Sequence, residues 1–141
     1  MKILVRRGQL DDITGIVKNV MEGHGLSSDQ DKAAVYSYVM TTLYQGYVAV
    51  ADLAGQIVGS VGIVKMQKRF TQKPFAESVW FYVSPQFRNY GTAEKLLDLF
   101  RKQGGQGVEL LIECDQPELV DRFMKIKGFK YLGGRFQAPS Q

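Results

Sequence analysis

The chain has 141 residues, 45% of them apolar and 23% charged, so it is long enough for one domain and apolar enough for a core. Those values exclude a disordered tail protein, and fifteen glycines without a G-x-y period exclude collagen. Eighteen basic against fourteen acidic residues leave +4, which favours an anionic ligand or partner without identifying one.

Lys2 to Arg6 is short, rich in Ile, Leu and Val, and reads as a first strand that Gly8 breaks. Leu10, Ile13, Ile16, Val17, Val20 and Met21 then recur at helical spacing, with Asp11 and Asp12 in the first turn and Gly23-His24-Gly25 at the end. Ser27, Ser28 and Asp29 offer caps for a second helix with Ala33, Ala34, Tyr36, Val39, Met40 and Leu43 on its apolar face, stopped at Gly46. Tyr47 to Leu53 and Ile57 to Met66 read as two strands about a turn at Ala54-Gly55-Gln56. Asp52, Gly55, Gln56 and Ser60 interrupt this region, so it does not read as a membrane span. Lys65 to Lys73 is basic and reads as a loop, followed by an aromatic strand from Glu77 to Val83.

Gln86 to Ala93 is a glycine-bearing loop that opens a helix with Ala93, Leu96, Leu97 and Phe100 inward; Gly104, Gly105 and Gly107 end it. Val108 to Cys114 reads as a buried strand, and Pro117 suits the first position of a helix running through Leu119, Phe123 and Ile126 to Gly128. Phe129 to Leu132 and Arg135 to Gln137 flank Gly133-Gly134 as a hairpin, and 138–141 frays. The order is β-α-α-β-β-β-α-β-α-β-β, a mixed α+β sheet with one crossover, read as a single domain over 1–141. No apolar stretch marks a signal peptide at the N-terminus, and the one cysteine, Cys114, cannot form an internal disulfide. A reducing, cytoplasmic compartment is expected. Cys114 and the lone His24 show no metal-ligand spacing, so no metal is expected.

The stretch from Val83 through Arg88 and Gly91 to Leu97 places a strand, a loop and a helix in succession. Backbone N–H groups at a helix start form an anion site, Gly91 allows close approach, and Arg88 and Lys95 add positive charge. An ordinary strand-to-helix loop is the alternative. Arg88-Asn89-Tyr90-Gly91-Thr92-Ala93 resembles the Gln/Arg-x-x-Gly-x-Gly/Ala loop of the GNAT superfamily of N-acetyltransferases, and Val83-Ser84-Pro85-Gln86-Phe87-Arg88 resembles the segment that precedes it there. Residues 3–22, 47–66 and the Phe123 to Phe129 segment extend the resemblance over nearly the whole chain.

The resemblance implies a twisted mixed sheet whose fourth and fifth strands splay to admit the pantetheine arm of acetyl-CoA. Amides of Asn89, Tyr90, Gly91, Thr92 and Ala93, with Arg88, would hold the pyrophosphate; backbone groups of Phe81, Tyr82 and Val83 would pair with the pantetheine. An amine then attacks the thioester directly, and the protein must remove a proton, stabilise an oxyanion and return a proton to the thiolate. Glu77 is the candidate base, since histone-type members carry a glutamate at a similar strand position. Period-2 alternation puts Glu77 on one face with Val79, Phe81 and Val83, an apolar wall that would raise its pKa. The tyrosine that the family usually uses as general acid is replaced by Met124, and the usual asparagine is missing at Asp115-Gln116-Pro117; Tyr82 or a water is the candidate substitute donor, the alternative being a thiolate that leaves without help.

The acceptor would be an amine on a small molecule or protein, and copies of the fold can pair as a homodimer. A second function class is a non-catalytic GNAT-fold protein that binds CoA or a macromolecular partner. Filling of the strand gap by Trp80, Tyr82 or Leu111 would favour it. A nucleic-acid module is a weaker third, since the basic run 65–73 carries no recognised reader motif. Cys114 reads first as a buried apolar residue, Glu113 equally as a pocket carboxylate or an exposed charge, and His24 as an exposed turn residue bordering the acceptor site.

Overall fold

The computed structural model describes residues 2–105 and 107–113, together with Lys125, Ala138 and Pro139. The helix expected through Phe123 and the C-terminal hairpin lie outside the described residues, as do Cys114 and Met124. The described part runs β1 (Leu4–Arg7), α1 (Ile13–His24), α2 (Asp29–Gln45), β2 (Tyr47–Leu53), β3 (Gln56–Gln67), β4 (Pro74–Val83), α3 (Thr92–Gln103) and β5 (Glu109–Leu111). Short 3-10 segments, Leu10–Asp12 and Pro85–Tyr90, precede α1 and α3.

The five strands lie in the order of the chain, antiparallel until β5, which pairs parallel with β4 after the α3 crossover. A parallel neighbour requires such a crossover, whereas β2–β3 and β3–β4 close as hairpins. Helices cover both faces. The periodic residues of α1 (Ile13, Ile16, Val17, Val20, Met21) and Val39 of α2 pack on Val48, Val50 and Trp80. On the opposite face Ala93, Leu96, Leu97 and Phe100 of α3 pack on Ala49, Val61, Ile63 and Phe81. Each Val, Leu, Ile, Met or Phe side chain among them contributes about 1.5–3 kcal/mol by leaving water.

Several boundaries differ from the sequence reading. β3 continues to Gln67 and β4 starts at Pro74, so the basic loop shrinks to 68–73: the hairpin ladder runs past the apolar segment to Gln67↔Pro74. Proline is tolerated as a strand's first residue because its missing N–H costs no interior ladder bond. The loop from Gln86 is a 3-10 turn, with Pro85 at its start fixing a compatible φ. Within the expected strand from Val108, the described β5 covers Glu109–Leu111, and Leu111, expected in the core, is 37% exposed. Among the described residues, no helix is long and apolar enough to cross a membrane.

Candidate active site

β4 is the element on which the site is built, and it is irregular. Ser78 pairs with Ile63 and Trp80 with Gly62, so Val79 is an extra residue without a cross-strand partner. Such a bulge bends the strand and reverses its alternation. Ala76, Phe81 and Val83 all pack into the α3-side core, while Trp80 packs on the α1–α2 side. Glu77, adjacent to Ala76, therefore faces the α1–α2 side with Val79 and Trp80. This corrects the expected apolar wall: Val79 stands on the face of Glu77, but the bulge moves Phe81 and Val83 to the other face.

The β4–β5 ladder ends where the bulge begins. Its pairs are Phe75↔Glu109, Ala76↔Leu110 and Glu77↔Leu111. Further along, the Glu113 N–H donates to Ser78 Oγ at 3.1 Å. The part of the chain that would flank Trp80 to Val83 on that side follows Glu113 and lies outside the described residues. Trp80 and Tyr82 both turn to the α1–α2 side. The indole N–H of Trp80 donates to Ser60 Oγ (3.0 Å), which donates to Asn19 Oδ1 of α1 (2.6 Å), an entirely buried chain. Tyr82 lies against α1, where a Cβ at Gly23 would come within 2.7 Å of its ring.

Beyond β4, Gly91 opens α3. Its φ of +70° is a left-handed conformation, and no side chain caps the helix. Lys95 N–H to Gly91 O is the first bond of the helix, so the amides ahead of it face outward at the positive end of the dipole. Thr92 and Ala93 are buried, which brings this backbone against the sheet. Space beside Gly91 is open: the nearest atom to a built Cβ is Glu94 Oε2 at 3.9 Å. A phosphate fits this geometry. Arg88 Nε donates to Val83 O (2.8 Å) and its guanidinium lies 5.4 Å from the Tyr82 ring centre, which ties the turn to the end of β4. Tyr90 is half-exposed at the turn, and the Asn89 backbone lies within the same turn.

Around Tyr82 the polar groups are coupled. Ser84 Oγ donates to Glu22 Oε2 (2.7 Å). Burial, and then the nearby Glu22 carboxylate, push the Tyr82 phenol above its ordinary pKa, against the opposing charge of Arg88. The phenol thus stays protonated at neutral pH.

One feature is not visible in the sequence. A cavity of about 310 Å³ lies between α1, α2 and β4, walled by His24, Leu26, Val35, Tyr38, Val79 and Trp80. Tyr38 and Trp80 meet edge to face, their centres 6.4 Å apart. The sequence signal available was the lone histidine between two glycines and a second helix whose aromatic residues do not all fit its buried face.

A mixed sheet with helices on both faces, a bulged fourth strand with a parallel fifth beside it, and a helix that starts at a left-handed glycine just beyond the fourth strand are the marks of an acetyltransferase-type fold. Residues 44–131 match the acetyltransferase (GNAT) domain family, and the chain belongs to that family. No curated protein matches it. Among solved structures it is similar to AAC(6')-Iy in complex with the bisubstrate analogue CoA-S-monomethyl-acetylneamine (TM-score 0.76, 13% identity, 100% of this chain and 99% of that one). It is likewise similar to an aminoglycoside acetyltransferase from an uncultured soil metagenomic sample (0.73, 15%, 100% and 100%). A third is the ribosomal-protein-alanine N-acetyltransferase of Brucella melitensis biovar Abortus 2308 (0.67, 14%, 96% and 100%). At such identities the likeness concerns the fold.

Proposed function

We propose that the protein transfers an acetyl group from acetyl-CoA to a primary amine by direct attack. The observation that carries this reading is the open, left-handed start of α3 at Gly91, placed directly beyond the end of β4. When bound, acetyl-CoA supplies a reactive thioester carbonyl. Arg88 and the backbone of 89–93 would hold its pyrophosphate, and backbone groups of Phe81 to Val83 its pantetheine. Glu77, on the α1–α2 side, takes the ammonium proton of the acceptor, and Tyr82 supplies a proton to the leaving thiolate. Family membership and the CoA-analogue complex of a similar fold support this reading.

A second reading, a CoA- or partner-binding protein without catalysis, is favoured by Met124, which stands where the family resemblance expects tyrosine. Calorimetric titration with acetyl-CoA, followed by thiol release in the presence of amines, separates the two. Micromolar binding with amine-dependent thiol release is expected. Binding without release selects the second reading; absence of binding overturns the assignment of the cradle.

A further inference from the structure

We propose that the tip of the β3–β4 hairpin is a docking surface for an anionic lipid bilayer, with Phe70 as the inserted side chain and the surrounding cations on the headgroup phosphates. Residues 65–73 carry Lys65, Lys68, Arg69 and Lys73 and no carboxylate, four positive charges in nine positions. Lys65, Arg69 and Lys73 are exposed, and Lys68 is shared with Glu109 of β5. Phe70 stands among them 91% exposed, the most exposed large apolar side chain among the described residues. A lone exposed phenylalanine needs no explanation. What marks this one is its setting.

The turn that carries the ring is closed. The Lys68 N–H donates to Lys73 O (2.8 Å) and the Gln72 N–H to Lys68 O (2.9 Å), with Gln72 left-handed at φ +55°. Arg69 and Phe70 are therefore held at the apex, and docking orders little further backbone. At this exposure the ring stands out from the surface rather than beside a groove. A bound peptide needs a groove or an open strand edge, and single-stranded nucleic acid a row of stacking rings. A soft plane accepts one protruding ring, while ammonium and guanidinium groups on long apolar stems reach its phosphates. The tip also lies at the opposite end of β4 from Gly91, since Pro74–Val83 spans about 30 Å. A molecule docked through the tip leaves the α3 start on the solvent side, so this surface stands apart from the transfer reading.

Co-sedimentation of the full chain with vesicles of mixed phosphatidylglycerol and phosphatidylcholine, and of phosphatidylcholine alone, tests the surface. Saturable binding to the mixed vesicles is expected, at least about tenfold tighter than to the neutral ones. Phe70→Ser keeps the charge and should weaken binding about tenfold. Arg69→Glu should weaken it by about tenfold or more. Lys18→Glu changes the net charge equally, but Lys18 is exposed on α1, which packs near Ile57 and Tyr82 at the far ends of β3 and β4. That variant should bind within about twofold of wild type, beyond a Debye length from the surface. Phe70→Trp adds a direct readout, because the native Trp80 is buried: its emission should move to the blue on mixed vesicles. No saturable binding to mixed vesicles, wild-type binding by Phe70→Ser, equal losses in Lys18→Glu and Arg69→Glu, or an unshifted Phe70→Trp emission overturns the proposal. Tighter binding of an oligouridine than of the mixed vesicles also overturns it and assigns the tip to nucleic acid.

Discussion

Glu77 is partly buried on β4 opposite Val64, two residues before a bulge that sets it apart from Phe81 and Val83. If it accepts the ammonium proton, Glu77→Gln lowers kcat by roughly 10²–10⁴, the usual worth of a positioned base. Acetyl-CoA affinity, read by calorimetry, stays at the wild-type value; an unaltered pH–rate profile would remove Glu77 from the role. Tyr82→Phe should lower kcat as well, with KM for acetyl-CoA held; equal kcat assigns the proton to water. At Gly91 the space for a side chain is open, so Gly91→Asp folds, apart from a modest cost for the left-handed backbone. Its carboxylate faces the amides meant for phosphate. Acetyl-CoA affinity should fall roughly tenfold to a hundredfold, the equivalent of one charge-assisted hydrogen bond, and an unchanged isotherm would refute the cradle. Candidate residues at this scale were legible because the Arg88 to Ala93 pattern is local. The direction of Glu77 was not, because alternation holds only while a ladder is regular.

β3 and β4 form the element pair on which the site depends. Gly62 sits opposite Trp80, and a Cβ there would collide with the six-membered ring of the indole. That ring is pinned through Ser60 to Asn19, so it cannot swing aside without breaking a buried hydrogen bond. Gly62→Ala should cost about 1–3 kcal/mol, typical of overpacking, and shift the Trp80 emission. Urea unfolding measures the first and fluorescence the second; wild-type stability would show that the strand pair can spread. The bulge itself left no mark in the sequence, since Val79, Trp80, Phe81, Tyr82 and Val83 are all apolar or aromatic and suit either face. The same uniformity hid the end of the β5 ladder: Leu110 and Leu111 read as core residues, yet the strand lies at the described edge.

Over the molecule as a whole, a clamp far along the sheet from β5 joins segments distant in sequence. Arg6 of β1 donates twice to Asp12, each at 2.7 Å, and once to Asp52 of β2 at 3.2 Å. The Arg6 guanidinium holds the Asp12 carboxyl below its ordinary pKa, helped by the Gln9 N–H and opposed by burial. A carboxyl depressed in the folded state stabilises above its unfolded value, near pH 4, and this contribution is lost as pH falls through the folded value. Unfolding free energy should therefore decline on acidification below about pH 4, and Asp12→Asn should flatten that slope while costing about 1–2 kcal/mol at pH 7. Denaturant curves at several pH values test this; identical slopes in the two proteins would assign the acid loss elsewhere. By itself the sequence determined the helices and strands through β5, their order, the glycine that opens α3 and the family pattern around it. All of these rest on neighbours within a few residues, where propensity, capping and chirality act. Only the tertiary structure decided which face Glu77 occupies, where the bulge in β4 falls, and that His24, Tyr38 and Val79 line one groove. Those follow from register and packing between residues tens of positions apart, and no local spacing encodes them.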